Sequence, residues 1–252
     1  MIRGRKINRY LAKLVSRLAR PNLGRIAIKG GIVSFTFDDF PKSAFVAGGR
    51  ILEKFGARGT YYTCMQFAGM DREGHRMFDA DDVREAHQRG HEIACHSYSH
   101  LDCAVAKVED VLADTMENAE ALSSVLGCFT PANFAYPYAQ VGLRSKLALV
   151  KRFMSCRGTR PGINMGKTDL GELRANEIRK SPYDHEAFRR LIVANAVAGG
   201  WLIFCTHDVA DDPSPFGCTP SQFEAVVAQA AANNGRILSV REALKLIHVP
   251  GS

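Results

Sequence analysis

Three sets of residues in this chain could do acid–base or metal chemistry: the adjacent carboxylates Asp38 and Asp39, the pair His96 and His100, and His207. The two histidines are four apart in His96-Ser97-Tyr98-Ser99-His100, so one turn of backbone can bring both imidazoles toward a single ion. A carboxylate from Asp39 would complete a set of two histidines and one acid, a catalytic zinc arrangement that leaves a position open for water. Cobalt or nickel would fit the same donors. Asp38, beside such an ion but not on it, suits a general base that takes a proton from the attacking water. Side chains alternate along a strand, so adjacent aspartates cannot both point the same way. His207, on a different strand, is placed to protonate a leaving amine. Each set also has a plainer reading. An acidic pair can end a strand in solvent, histidines four apart can cap or coat a surface, and a histidine at a strand end can simply be hydrogen-bonded.

The elements that would position these residues alternate along the chain. Residues 31–39 read as a buried strand, with Val33, Phe35 and Phe37 alternating with Ser34 and Thr36 before the two aspartates. A helix over 43–55 is stopped by Gly56, and 58–64 is a second strand. A helix over 79–89, with Asp79 as N-cap and Gly90 as stop, precedes a strand at 91–95. A long helix over 107–126 follows, then strands near 134–138 and 153–156 with a helix near 142–150 between them. A helix at 184–198 leads into Trp201-Leu202-Ile203-Phe204-Cys205, the most apolar strand. A helix near 220–233, a strand at 236–238 and a helix at 240–247 close the chain. Strands alternating with helices predict a parallel sheet with helical crossovers. In such folds active sites form at the carboxyl ends of strands, where Asp38-Asp39, His96 to His100, Tyr136 to Tyr138 and His207 all fall.

At 252 residues the chain fits one α/β domain, and no apolar run is long enough to span a bilayer. The net charge of +7 is concentrated at one end. Residues 1–29 hold nine Lys or Arg and no acid, leaving 24 basic against 26 acidic groups elsewhere. The expected organisation is therefore a basic extension over 1–29 and a single catalytic domain over 30–252. Leu11, Leu14, Val15 and Leu18 make a short amphipathic stripe ringed by basic residues, which suits either reversible contact with an anionic membrane surface through residues 1–20 or packing on the domain itself. No aromatic or Gly-rich pattern accompanies the charge, which argues against nucleic acid. The segment lacks the apolar core and cleavage site of a secretory signal. Seven scattered cysteines, odd in number and without CxxC spacing, read as small buried hydrophobes of a reducing compartment. Together these predict a cytoplasmic protein, and the membrane reading of the stripe, as against packing on the domain, would make it peripheral at the inner membrane face.

Thr36-Phe37-Asp38-Asp39, His96-Ser97-Tyr98-Ser99-His100 and the run from Leu202 to Thr206-His207-Asp208 resemble, in order, motifs of the polysaccharide deacetylases (carbohydrate esterase family four, the chitooligosaccharide-deacetylase homology domain). The resemblance spans roughly residues 30–247. It implies a distorted (β/α) barrel with fewer than eight strands and metal-dependent hydrolysis of N-acetyl groups on sugars. It also implies Asp38 as base, Asp39, His96 and His100 on the metal, and His207 as acid. The family's third motif commonly carries Arg-x-Pro-Tyr, whose Arg orients the catalytic Asp. Here Ala135-Tyr136-Pro137-Tyr138 keeps Pro137 and Tyr138, whose backbone N–H could serve the oxyanion, but lacks the guanidinium, which Arg157 could supply from elsewhere. An Asp-x-x-Trp before the last motif is missing. Trp201, the only tryptophan, lies within the strand leading to His207, where it suits core packing. The alternatives are a hydrolase of small cyclic amides or formyl groups on the same scaffold, and a non-catalytic carbohydrate-binding relative.

Overall fold

The computed structural model describes residues 15–72, 74–234 and 236–248. Seven parallel strands form its main sheet: β1 (Ile32–Asp38), β2 (Thr60–Thr63), β3 (Glu92–Cys95), β4 (Asn133–Ala135), β5 (Ser155–Arg157), β6 (Asn176–Glu177) and β7 (Trp201–Thr206), in the order β6-β7-β1-β2-β3-β4-β5. The sheet curls until its edges nearly meet. Leu173 donates to Cys156 and accepts from Gly158, while Ile178 a few residues on donates to Cys205. The segment from 173 to 178 thus joins β5 to β7 and leaves a seven-stranded, distorted (β/α) barrel, as expected.

Strand alternation divides the residues between two environments. Val33, Phe35 and Phe37 of β1 face outward into a core shared with helices α1 (Arg50–Lys54), α5 (His185–Ala198) and α6 (Pro220–Asn234). Ser34, Thr36 and Asp38 have the opposite parity and face the barrel interior. The helix read over 43–55 begins with a π-helical stretch, Ala44–Gly49, before α1. Close packing there requires glycine: a Cβ on Gly48 would sit 2.8 Å from the Phe37 ring, and one on Gly49 2.8 Å from the Tyr61 hydroxyl. The other helices are α2 (Ala80–Gln88), α3 (Val108–Leu126), α4 (Leu143–Leu149) and the short α7 (Val240–Leu244). The expected final strand is reduced to a single bridge, Ile237 to Val33.

The amino end of the barrel is plugged by a second core of Ile32, Trp201, Ile203, Val240 and Leu244. There the buried Glu92 accepts from Asn133 Nδ2, Thr60 Oγ1 and the Arg241 backbone N–H. The opposite rim carries the chemistry-bearing residues.

Of the basic segment, Leu23–Ile26 pairs antiparallel with Gly166–Asp169. Arg20 donates to the Lys167 carbonyl, and the Ser16 carbonyl accepts from Lys146 Nζ at 2.8 Å. Leu11 and Leu14 lie outside the described residues; Val15 and Leu18 are exposed. No helix among the described residues is long and apolar enough to cross a membrane.

Candidate active site

Every strand but β2 delivers a polar side chain to the carboxyl rim. Asp38 ends β1, Arg157 ends β5 and Glu177 ends β6; His96 follows β3, Tyr136 follows β4 and His207 follows β7. All of these except Arg157 line a cavity of about 530 Å³ that also holds Asp39, His100 and Tyr138. The backbone there is unusual. All six non-glycine residues with left-handed backbone among those described, Asp39, Phe40, Ser97, His100, Tyr138 and Ala139, lie on these rim loops. Such conformations cost on the order of 1–3 kcal/mol each and persist where surrounding structure holds them.

Asp39 turns away from Asp38 at the end of β1 (φ 61°) and meets the two histidines. Its Oδ1 is 3.5 Å from His96 Nε2 and 3.3 Å from His100 Nε2. The loop carrying the histidines is fixed from below by α3, whose Asp114 accepts from the backbone N–H groups of Tyr98 and Ser99 and from Ser99 Oγ. Asn118, one turn further along α3, accepts from the Met65 N–H and donates to the Thr63 carbonyl. His96 Nδ1 lies 2.9 Å from the Ala135 carbonyl, so it is assigned the proton and Nε2 keeps its lone pair. Burial pushes both His96 and His100 down to about 4, so both are neutral at pH 7.

This set fits a divalent cation. Asp39 Oδ1 is buried without a hydrogen-bond partner, although two imidazoles flank it. The three ligand atoms lie within 4.8 Å of one another. Donors about 2.0–2.1 Å from a tetrahedral zinc stand about 3.3 Å apart, close to the observed separations, and neutral imidazole with carboxylate is the ligating form.

Asp38 has a different partner. Arg157 Nη2 donates to Asp38 Oδ1, and the guanidinium also donates to the Gly158 carbonyl and lies 4.8 Å from the Tyr62 ring centroid. Both side chains are buried, Arg157 at 1% exposure. Burial alone would raise the Asp38 carboxyl; the Arg157 charge, aided by His96 and His207, more than offsets it and holds the group below its ordinary value. Asp38 is therefore a carboxylate fixed in place and ionised.

His207 lines the same cavity, its ring 5.3 Å from that of Phe216. Tyr138 is largely exposed at the cavity mouth with its ring 4.2 Å from that of His100, and Pro137 starts the turn that presents it. Trp201 is not brought to the site. It is buried at the opposite end of β7, where its Nε1 donates to Ser34 Oγ. Sequence reasoning did not single out Arg72, His75, Glu177 or Arg179, which also line the cavity. They come from a loop hairpin, a two-residue strand and the loop just after it, where neither periodicity nor motif spacing marks them.

The model of the polysaccharide deacetylase family matches residues 27–152, half of the chain. The chain belongs to the polysaccharide deacetylase family. The match takes in Asp38, Asp39, both histidines and Tyr138, and ends before Arg157 and His207. No curated protein matches the chain in sequence. Among solved structures, the chain is similar to a family 4 acetyl xylan esterase from Clostridium thermocellum in complex with a cobalt ion, with a TM-score of 0.61 and 22% identity over 85% of this chain and 91% of that one. It is also similar to the chitin deacetylase from the fungal pathogen Colletotrichum lindemuthianum, at 0.60 and 18% over 86% and 89%. The Bc1960 peptidoglycan N-acetylglucosamine deacetylase gives 0.61 and 15% over 87% and 90%. At these identities the likeness is one of fold.

Proposed function

We propose that the protein is a metal-dependent deacetylase that cleaves the acetamide of an N-acetylated amino sugar in an oligo- or polysaccharide. The observation that carries this reading is the convergence of Asp39, His96 and His100 beside a separately held, ionised Asp38. Asp39, His96 and His100 would hold one divalent cation, zinc in first place, which supplies Lewis-acid polarisation and lowers the pKa of water. Asp38 takes a proton from the attacking water, and the new C–O bond forms at the acetyl carbon. The Tyr138 N–H donates to the developing oxyanion, with Pro137 setting the turn. His207 gives a proton to the amide nitrogen as the C–N bond breaks, releasing acetate and the free amine. Arg157 acts through Asp38, holding its carboxylate in one orientation.

The test is acetate release from N-acetylglucosamine oligomers by chelator-treated protein, with and without added zinc or cobalt, beside an O-acetylated xylan as the ester control. Amide cleavage restored by metal supports the reading. Ester cleavage alone would move the substrate class, and inactivity on both with metal bound would overturn the proposal.

The basic residues of 1–29 and the exposed Val15 and Leu18 support a further element: a sugar linked to a membrane lipid, met at the anionic cytoplasmic face. Deleting residues 1–20 should then abolish sedimentation with anionic vesicles while sparing activity on soluble oligomers. Unchanged sedimentation would refute it.

A further inference from the structure

On another wall of the barrel, a second cavity of about 480 Å³ has a lining dominated by cations. Arg17 and Arg20 come from the basic segment, Arg160 and Arg174 from the two chain stretches that close the barrel, and Lys167 from the strand paired with Leu23–Ile26. The lining holds two carboxylates, Asp169 and Glu172, and both are engaged by the buried Lys146, at 2.6 and 2.9 Å. Glu172 also meets Arg17 at 3.8 Å. Six cationic side chains thus face two carboxylates.

The guanidiniums have few acceptors of their own. Arg174 Nη1 reaches the Pro161 carbonyl and Arg20 the Lys167 carbonyl, while Arg160 Nε is buried without a hydrogen-bond partner. Burial, then the like charges of Arg174, Arg17 and Arg20, hold the Arg160 group below its ordinary value, although Glu172 works the other way. Guanidinium remains charged in proteins, so this crowding is an uncompensated positive potential and not a set of neutral groups. Planar forks at this density match the oxygens of phosphate, which they bind through paired, charge-assisted hydrogen bonds.

We propose that the cavity walled by Arg17, Arg20, Arg160, Lys167 and Arg174 binds a multiply charged oxyanion of the phosphate or diphosphate class. The ligand is either a free phosphate compound or the phosphate of a lipid headgroup, and it engages Arg17 and Arg20 of the basic segment together with the barrel wall. None of the five cations belongs to the catalytic set, so the proposal stands or falls independently of the deacetylase reading.

The experiment is calorimetric titration of the full chain with inorganic pyrophosphate and with inorganic phosphate, alongside sedimentation with phosphatidylcholine vesicles with and without phosphatidate. Saturable binding of pyrophosphate or of phosphatidate vesicles, weakened at least tenfold in Arg160→Ala/Arg174→Ala and weakened further by salt, supports the site. Binding in solution assigns a free phosphate compound, and binding to vesicles alone assigns a headgroup. Should the double variant unfold, Lys167→Gln at an exposed position gives the same readout with a smaller loss. Absence of binding to every probe, or binding unaffected by all these substitutions, overturns the proposal.

Discussion

The buried pair of Arg157 and Asp38 lends itself to a thermodynamic cycle that needs no turnover. Replacing Arg157 with Met leaves the Asp38 carboxylate buried without its guanidinium; Asp38→Asn leaves the guanidinium buried without its carboxylate. Removing one partner of a buried pair costs about 3–5 kcal/mol, whereas replacing both with neutral groups is often nearly neutral. Each single variant should therefore lose about 3–5 kcal/mol in urea unfolding of chelator-treated protein. The double variant should lose no more than either, giving a coupling of at least about 3 kcal/mol. The sign of the pH effect follows from Asp38 lying below its ordinary value in the fold. Its stabilisation is present above the unfolded value of about 3.9 and is lost as pH falls through the folded one, so Arg157→Met should flatten the acid end of the stability curve. Activity should fall about tenfold to a hundredfold, mainly in kcat, because a base misplaced by an ångström costs about that much. Arg157→Lys keeps the charge without the planar fork and should lie between. Single-variant losses that add to within about 0.5 kcal/mol would show that the pair is not energetically coupled.

Purified protein should bind about one divalent ion by metal analysis, and His96→Ala/His100→Ala should lose it; full occupancy in that double variant would remove the site assignment. Asp38→Asn should keep the ion and lose activity by roughly 10²–10⁴-fold, while Asp39→Asn should lose the ion first. Asp38, held below its ordinary value, should keep the acid side of the rate profile flat at neutral pH, and His207→Ala should lower kcat by roughly 10²–10⁴-fold while leaving metal content unchanged. His91 gives a stability test away from the cavity. Its Nδ1 accepts from the Gly59 N–H and its Nε2 meets Glu53 at 3.0 Å, and burial pushes it down to about 4, so the fold holds it neutral. That stabilisation is complete above about 6.5 and is lost as pH falls toward 4. His91→Gln should therefore remove about 2 kcal/mol of the stability change between pH 7 and 5, read from urea midpoints.

How much of this was legible in the sequence depends on how locally each feature is encoded. Asp38-Asp39 and His96 to His100 are contiguous, so alternation and a one-turn spacing were enough to predict their convergence. Arg157 was readable as a compensating charge but not as a contact, because its pairing with Asp38 depends on two strands 119 residues apart in the chain. Asp114 supports the histidine loop, and Asn118 the end of β2, from within a helix that the sequence marks only by its length. The left-handed residues were not foreseeable, because Asp39, His100 and Tyr138 do not announce a positive φ as glycine would.

Trp201 shows where strand reasoning needs a second coordinate. It shares the parity of Ile203, Cys205 and His207 on β7, so alternation alone would put the tryptophan and the histidine on one face of the strand. Six residues of strand amount to about 20 Å. Trp201 accordingly sits in the amino-end plug against Ser34, and His207 stands at the open rim. The same rule runs along β1, where Ser34 receives the indole N–H, Thr36 donates to the Phe204 carbonyl, and Asp38 reaches the cavity. Parity selects which side chains enter the barrel, and depth along the strand selects which of them meet substrate. In a fold whose strands all run the same way, depth is set by a residue's distance from the carboxyl end. The missing third-motif arginine can therefore be replaced from β5: Arg157, the last residue of that strand, donates to Asp38, the last residue of β1.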